Sequence, residues 1–150
     1  MKLKTTITLI LITLLMSVFA FSPSKKGYKL VWQDNFSSKN VDTKSWTHEV
    51  ARSGWVNNEK QRYTDGENAV QKKGKLILTA RYENNEYTSA RMITENKRMF
   101  TYGYFEIKAK LPSGNGTWPA LWMLGNNNDQ VGWPDCGELD IMEHIGREPG

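Results

Sequence analysis

Three carboxylates lie within six positions near the C-terminal end of the chain, at Glu138, Asp140 and Glu143. They are interleaved with large apolar residues, which is the pattern of a β-strand. Because successive side chains of a strand point to opposite faces, Glu138 and Asp140 share one face. Glu143 has the opposite parity. One extra residue in the strand, a β-bulge at Ile141 or Met142, would return it to the face of the other two acids.

Carboxyl groups gathered on one face can divide the work of an acid and a base, because one stays ionised while another keeps its proton. A retaining glycosidase needs such a pair, with the two groups about 5–5.5 Å apart. One carboxylate attacks the anomeric carbon of the sugar, and one carboxylic acid protonates the leaving oxygen. Glu138 and Glu143 could form this pair, and Asp140 between them would couple to both titrations.

Two other interpretations of the acids remain open from these residues alone. Acids along a strand can simply form a solvated face. Alternatively, the three acids together with His144 could be ligands of a metal ion. The residues around the acids favour the glycosidase interpretation over these two.

Tryptophan is enriched in this chain, with six copies. In an extended segment Trp118 and Trp122 would share a face, and Trp133 lies shortly before the acids. Aromatic rings offer apolar area and a π surface, which suits stacking on the C–H faces of a sugar ring. A place in the core is the alternative for any one of them, but their grouping near the acids favours a sugar platform.

Alternation of apolar and polar residues predicts several short strands and no helix beyond the N-terminal segment. The pattern is clearest at Met99–Leu111. Lys72–Lys75, with its glycine, has the composition of a hairpin turn. An antiparallel β-sandwich is therefore expected. The remaining predicted strands are Tyr28–Gln33, Ala69–Gln71, Leu76–Tyr82 and Tyr87–Thr94.

The N-terminal residues 1–20 have the pattern of a secretory signal peptide, with Lys2 and Lys4 before an apolar run and Val18-Phe19-Ala20 at its end. An uncleaved membrane anchor is the alternative, although the run is short for a membrane span. Residues 21–27 are expected to form a flexible leader, and residues 28–150 one domain. Because sandwich enzymes usually have about 200–250 residues, we expect this domain to be truncated at its C-terminus.

The composition is that of a globular protein, with 39% hydrophobic and 24% charged residues. Without Lys2 and Lys4, the 20 basic residues become 18, against 16 acidic residues. This balance gives no reason to expect nucleic acid or an anionic membrane as a partner. Cys136 is the one cysteine, so no internal disulfide can form. We expect a secreted monomer without membrane contact after signal cleavage.

The acid segment resembles the Glu-x-Asp-x-x-Glu signature of glycoside hydrolase family 16, and the similarity covers nearly all of Tyr28 to Gly146 in the family's order. With its extra residue before the last glutamate, this segment resembles the laminarinase branch of the family, whereas lichenase-type members have the shorter Glu-x-Asp-x-Glu strand. The other segments that carry the resemblance are Asn57–Glu59, Tyr63-Thr64, Leu76–Arg81, Tyr87–Arg91, Tyr102–Glu106, Gly116–Leu124 and Val131–Pro134.

The resemblance implies an endo-β-1,3-glucanase on a β-jelly-roll sandwich of two antiparallel sheets, with a cleft across the concave sheet. It implies that Glu138 is the nucleophile and Glu143 the general acid/base, with Asp140 holding the protonation pattern between them. The implied substrate-binding residues are Asn58, Arg91, Trp118, Trp122 and Trp133.

The implied substrate is a laminarin-type β-glucan polysaccharide. The alternatives are mixed-linkage glucan, an agar- or carrageenan-type galactan, and a non-catalytic β-glucan-binding module. No cofactor is expected for catalysis. Many members of the family hold a structural calcium away from the cleft, but the opening motif reads Asp34-Asn35-Phe36 where many relatives have Asp-Glu-Phe. The sequence therefore leaves open whether the domain holds a structural calcium.

Overall fold

The computed structural model describes residues 25–147. The predicted signal peptide at 1–20 and most of the leader lie outside the described residues. Contacts within the chain define two units, residues 1–33 and residues 34–150, each of which is considered by itself. In the described part, no helix has the length and apolar character needed to cross a membrane.

The described part of the first unit, residues 25–33, contains a turn in which the Tyr28 N–H donates to the Lys25 carbonyl oxygen at 2.9 Å. The prediction of a strand at Tyr28–Gln33 is wrong, because these residues carry no strand. Leu30 and Val31 are exposed. An alternating pattern shows which side chains a strand would bury, but a strand forms only where a neighbour completes its hydrogen bonds.

The described part of the second unit consists of short strands with one helical turn, which confirms the all-β prediction. Each strand is three to six residues long, and the helix α1 spans Asn128–Val131. The strands are β1 Thr47–Glu49, β2 Gln61–Tyr63, β3 Ala69–Gln71, β4 Leu76–Leu78, β5 Arg81–Glu83, β6 Glu86–Ser89, β7 Arg91–Ile93, β8 Ala120–Leu124 and β9 Glu138–Glu143.

These strands form four small sheets in the described residues. Three of the sheets are antiparallel pairs, which join β1 to β7, β3 to β4, and β8 to β9. The fourth has the order β2-β6-β5, in which β5 and β6 are antiparallel but β2 and β6 are parallel. The expectation of antiparallel pairing therefore holds for every described pair except β2 with β6.

The predicted hairpin at Lys72–Lys75 is confirmed, because β3 and β4 pair across it. The Lys72 N–H donates to the Lys75 carbonyl oxygen at 2.9 Å. Lys73 and Gly74 both have positive φ angles, of 52° and 68°. A two-residue hairpin loop with two positive φ angles matches the right-handed twist of its strands, and glycine adopts such a conformation at no steric cost.

Two predicted strands are each divided in the structure. The predicted strand Leu76–Tyr82 becomes β4 and the start of β5, and Tyr87–Thr94 becomes most of β6 and β7. In both cases the chain changes its pairing partner at the break, since β4 pairs with β3 whereas β5 pairs with β6. Alternation continues through such a break, so the sequence pattern does not reveal it.

The prediction of a strand at Met99–Leu111 is also wrong in the described structure. The segment carries no strand assignment, and all of its residues are exposed. Phe105 and Ile107 alternate with polar residues as a half-buried strand would, but no described strand pairs with them. A strand requires hydrogen bonds to a neighbouring strand as well as an alternating pattern.

The most deeply buried side chains of the described part are polar. Thr64 and Asn68 are 1% and 2% exposed. The Asn68 amide nitrogen donates to the Thr79 carbonyl oxygen at 2.6 Å and to Thr88 Oγ1 at 3.1 Å, and its amide oxygen accepts from Thr64 Oγ1 at 2.8 Å. One side chain therefore links the ends of β2 and β4 to β6.

We predict that Asn68→Ala lowers the free energy of unfolding by about 2–3 kcal/mol, because the Thr79 carbonyl would lose its side-chain donor and the buried Thr64 hydroxyl would lose its amide acceptor. Urea unfolding measures this. Asn126→Ala is the matched control at an exposed asparagine, and a change below about 0.5 kcal/mol is expected there. Equal stability of Asn68→Ala and the unmodified protein would contradict the linking role of Asn68.

Candidate active site

The predicted β-bulge is present in β9, at Ile141. Leu121 pairs with Met142 and Trp122 pairs with Asp140, so two successive residues of β8 oppose residues two apart in β9. Ile141 is the extra residue, one of the two positions that the sequence indicated. A bulge of this kind bends its strand and re-aims the side chains beyond it.

The bulge brings the three carboxylates to one face of the β8–β9 pair. Glu138 is opposite Leu124, and Glu143 is opposite Ala120. Leu124 and Ala120 lie four residues apart in β8, so they share a face, and the partner of Asp140 lies midway between them. The three carboxylates are exposed. They are therefore available to a ligand from solvent.

Each of the two glutamates accepts a hydrogen bond from a tryptophan indole. Trp118 Nε1 donates to Glu143 Oε1 at 2.7 Å, and Trp133 Nε1 donates to Glu138 Oε2 at 2.6 Å. Hydrogen bonds to a charged acceptor are shorter and stronger than neutral ones. Each indole occupies one oxygen of its glutamate. Sequence reasoning assigned these tryptophans to sugar stacking and missed their role as donors.

The loop between β8 and β9 is closed by backbone contacts that set the position of Trp133. The Gly125 N–H donates to the Gly137 carbonyl oxygen at 3.0 Å, and the Cys136 N–H donates to the Gly132 carbonyl oxygen at 2.9 Å. A Cβ on Gly125 would overlap the Cys136 carbonyl oxygen, so only glycine allows this approach.

Arg91 lies against two indole rings, one of them next to the acids. Its Cζ is 4.8 Å from the centroid of Trp122 and 5.1 Å from that of Trp55. Its Nε forms an ion pair with Glu49, its cross-strand partner in the β1–β7 pair. The structure thus brings together Arg91 and Trp122, two of the residues that the resemblance assigned to substrate binding, and adds Trp55 and Glu49. Sequence reasoning missed Glu49, because its place opposite Arg91 follows from strand pairing, which the local sequence does not show.

The loop that carries Trp55 is connected to β2 through Tyr63. The Tyr63 hydroxyl donates to Glu59 Oε2 and accepts from Gln61 Nε2, both at 2.9 Å. Burial raises the pKa of this hydroxyl above its ordinary value, so it stays a donor at neutral pH. The Trp55 ring meets Tyr63 edge to face, with centroids 6.4 Å apart.

Asn58 lies in the same loop, where it and Asn57 have left-handed φ angles of 54° and 51°. Asparagine tolerates this conformation better than most residues. In residues 25–147, no hydrogen bond connects Asn58 to the acids or to the tryptophans. Its assignment to substrate binding therefore stays a prediction.

The sequence raised two places for a metal ion, the acids with His144 and the opening motif. Within residues 25–147, no group of three or more His, Cys, Asp and Glu side chains could hold a metal ion, so the acids and His144 do not form one. At the opening motif, Asp34 Oδ1 accepts from the Phe36 N–H and Oδ2 from Trp46 Nε1. Each oxygen of this carboxylate thus accepts one hydrogen bond, and a structural calcium at this motif stays a prediction.

Comparisons with known proteins find several similar sequences and structures. The family model described as glycosyl hydrolases family 16 matches residues 56–150. The beta-glucanase of Rhodothermus marinus is 49% identical over 130 residues, which cover 81% of this chain and 46% of that protein. The glucan endo-1,3-beta-glucosidase of Cryptopygus antarcticus is 41% identical over 146 residues, which cover 91% of this chain and 52% of that protein.

Among solved structures, the laminarinase from Flavobacterium sp. UMI-01 superposes with a TM-score of 0.78 at 50% identity. The alignment covers 81% of this chain and 54% of that one. This chain therefore spans about half the length of these three relatives. The predicted fold class, an all-β jelly roll, is confirmed by the strand content and by this similarity.

We predict that the two indole–carboxylate hydrogen bonds are independent of each other. In two-dimensional ¹H–¹⁵N spectra, Glu138→Gln should shift the Trp133 indole resonance and leave that of Trp118 in place, because only the acceptor group of the Trp133 indole N–H changes. Glu143→Gln should do the reverse. A shift of both indole resonances in either variant, or of neither, would contradict the two contacts.

Proposed function

This chain belongs to glycosyl hydrolases family 16, and from that membership we propose that the protein is a retaining glycoside hydrolase that cleaves internal β-1,3 linkages of laminarin-type β-glucan. The observation that carries the proposal is the bulged strand β9. It brings Glu138, Asp140 and Glu143 to one exposed face. The two glutamates that would do the chemistry are also the two that accept an indole hydrogen bond.

In the proposed reaction, a carboxylate oxygen of Glu138 attacks the anomeric carbon while Glu143 donates its proton to the departing glycosidic oxygen. The bond from the anomeric carbon to that oxygen breaks, and a glycosyl–enzyme ester forms. Glu143, now ionised, takes a proton from water as the water oxygen attacks the anomeric carbon. Hydrolysis of the ester releases the sugar with its original configuration and restores both glutamates.

The indole hydrogen bonds suit these two roles. Trp133 binds Oε2 of Glu138, which leaves Oε1 for the attack on carbon. Trp118 binds Oε1 of Glu143, which leaves Oε2 to give and take the proton. Because each bond restrains a rotatable carboxylate, it reduces the ordering that the transition state requires. Asp140 lies between the two and would influence the protonation of both.

The surroundings of the acids favour a neutral β-glucan over a sulfated galactan. Arg91 is the cation that the structure brings next to Trp122, and its charge is compensated by Glu49. An anionic polysaccharide would need uncompensated cations along its path. The Trp118 and Trp133 side chains are 48% and 68% exposed. Exposed aromatic surface beside the acids suits the C–H faces of glucose units.

We also propose that the protein is secreted as a monomer, with residues 1–20 removed as a signal peptide. The charged start, the apolar run and the end at Val18-Phe19-Ala20 support this. A polymeric glucan does not enter cells, so its hydrolysis at an extracellular or periplasmic location agrees with the proposed substrate.

The test of the proposed function is reducing-sugar release from laminarin, lichenan and agarose by the intact protein. We expect release from laminarin and a loss of at least about a thousandfold in Glu138→Gln, because the isosteric amide is not a nucleophile. Glu83→Gln, at an exposed glutamate of β5, is the matched control and should keep full activity.

Release from lichenan or agarose alone would keep the mechanism and change the substrate. Binding of laminarin without release from any polymer would replace the enzyme with a glucan-binding module. Release from laminarin that persists in Glu138→Gln would remove that residue from the proposed mechanism.

Retention has its own test, which is the proton NMR spectrum of the first-formed product. Two displacements at the anomeric carbon restore the β configuration, so the β anomer should appear first and then equilibrate with the α anomer. The resonances of the anomeric protons distinguish the two during the first minutes of the reaction. An initial α anomer would show a single displacement by water.

A further inference from the structure

Glu49 and Arg91 face each other at the end of the β1–β7 pair. The Arg91 Nε and a Glu49 carboxylate oxygen form an ion pair, and each side chain is 22% exposed. A pair shielded to this degree is screened less by solvent and salt than a surface pair. The contact therefore restrains the guanidinium more strongly than an exposed ion pair would.

The restrained guanidinium lies over Trp122 at 4.8 Å and over Trp55 at 5.1 Å. Both distances are within the range of a cation–π contact. Trp122 is directly opposite Asp140 in the β8–β9 pair, on the face of the carboxylates. A continuous series of contacts thus joins β1 to the acid face, from Glu49 through Arg91 to Trp122.

We propose that Glu49 is a positioning residue for glucan binding. It holds the Arg91 guanidinium against the two indoles, and the guanidinium in turn holds the Trp122 ring in its orientation beside the acids. Glu49 itself does not touch the substrate in this proposal. The inference rests on the proposed function for its ligand, but the orientation of Trp122 does not depend on any ligand.

A second arginine–glutamate pair in the same unit provides the comparison. Arg62 and Glu86 pair between β2 and β6, with Nε–Oε1 and Nη2–Oε2 distances of 3.0 and 3.2 Å. Their side chains are 40% and 48% exposed. The hydrogen bond from Arg62 lowers the pKa of Glu86. No cation–π contact of Arg62 is present in the described part of the chain, so this pair resembles the first without its connection to tryptophan.

The experiment compares Glu49→Gln with Glu86→Gln in the intact protein, using laminarihexaose as the probe. Glu49→Gln should raise KM about five- to tenfold and change kcat less than about twofold, because the effect acts on a binding ring rather than on the reacting groups. Calorimetric affinities in a Glu138→Gln background should fall by the same factor. Glu86→Gln should leave KM, kcat and affinity unchanged.

A double-variant cycle separates positioning from simple destabilisation. If Glu49 acts through Arg91, the effect of Glu49→Gln on KM should disappear in an Arg91→Met background. An effect of equal size in both backgrounds would overturn the proposal, as would an unchanged KM in Glu49→Gln. Should Glu49→Gln fail to fold, Glu49→Asp keeps the charge at a shorter reach. It should raise KM about two- to threefold with the same dependence on Arg91.

A ligand-free measurement distinguishes this inference from the proposed function. In the unliganded protein, Glu49→Gln should shift the Trp122 indole resonance and Glu86→Gln should not. If laminarihexaose neither binds nor is cleaved, the proposed function fails, and this resonance alone decides whether Glu49 positions Trp122. An unmoved Trp122 resonance in Glu49→Gln would overturn the positioning role.

Discussion

The register of the β8–β9 pair is the constraint on which the site depends. If the same residues were paired regularly, without the bulge at Ile141, Glu143 would lie on the face opposite Glu138. The two glutamates could then not act on the same bond. The register also opposes Trp122 to Asp140, which brings a ring next to the acids. The bulge at Ile141 therefore sets both the shared face of the carboxylates and their relation to the nearest aromatic surface.

The contacts around this pair orient groups that would otherwise rotate freely. Trp118 and Trp133 restrain the two glutamates from opposite ends of the acid segment. Arg91, paired with Glu49, restrains the Trp122 ring. All three carboxylates nevertheless remain exposed in the described structure. The site thus derives its order from short polar contacts and ring contacts and not from burial.

The strands that support the site were only partly predictable, and the reason is the same at each failure. Alternation predicted the hairpin around Lys72–Lys75, where both strands are neighbours in sequence and the turn residues are local. The same kind of pattern led to wrong predictions at Tyr28–Gln33 and Met99–Leu111, which carry no strand in the described structure. Alternation describes one strand, whereas a sheet requires two, and pairing between distant segments leaves no mark in local sequence.

For the site, the sequence by itself determined the identity of the acids, the shared face of Glu138 and Asp140, and the need for a bulge before Glu143. These follow from strand parity, which is a local property of the backbone. Only the tertiary structure decided that the bulge is at Ile141, that the indole N–H groups of Trp118 and Trp133 bind the glutamates, and that Glu49 holds Arg91. Each of these depends on which distant strands and loops pack against each other. Hydrogen bonds and ion pairs between such segments are set by the three-dimensional packing.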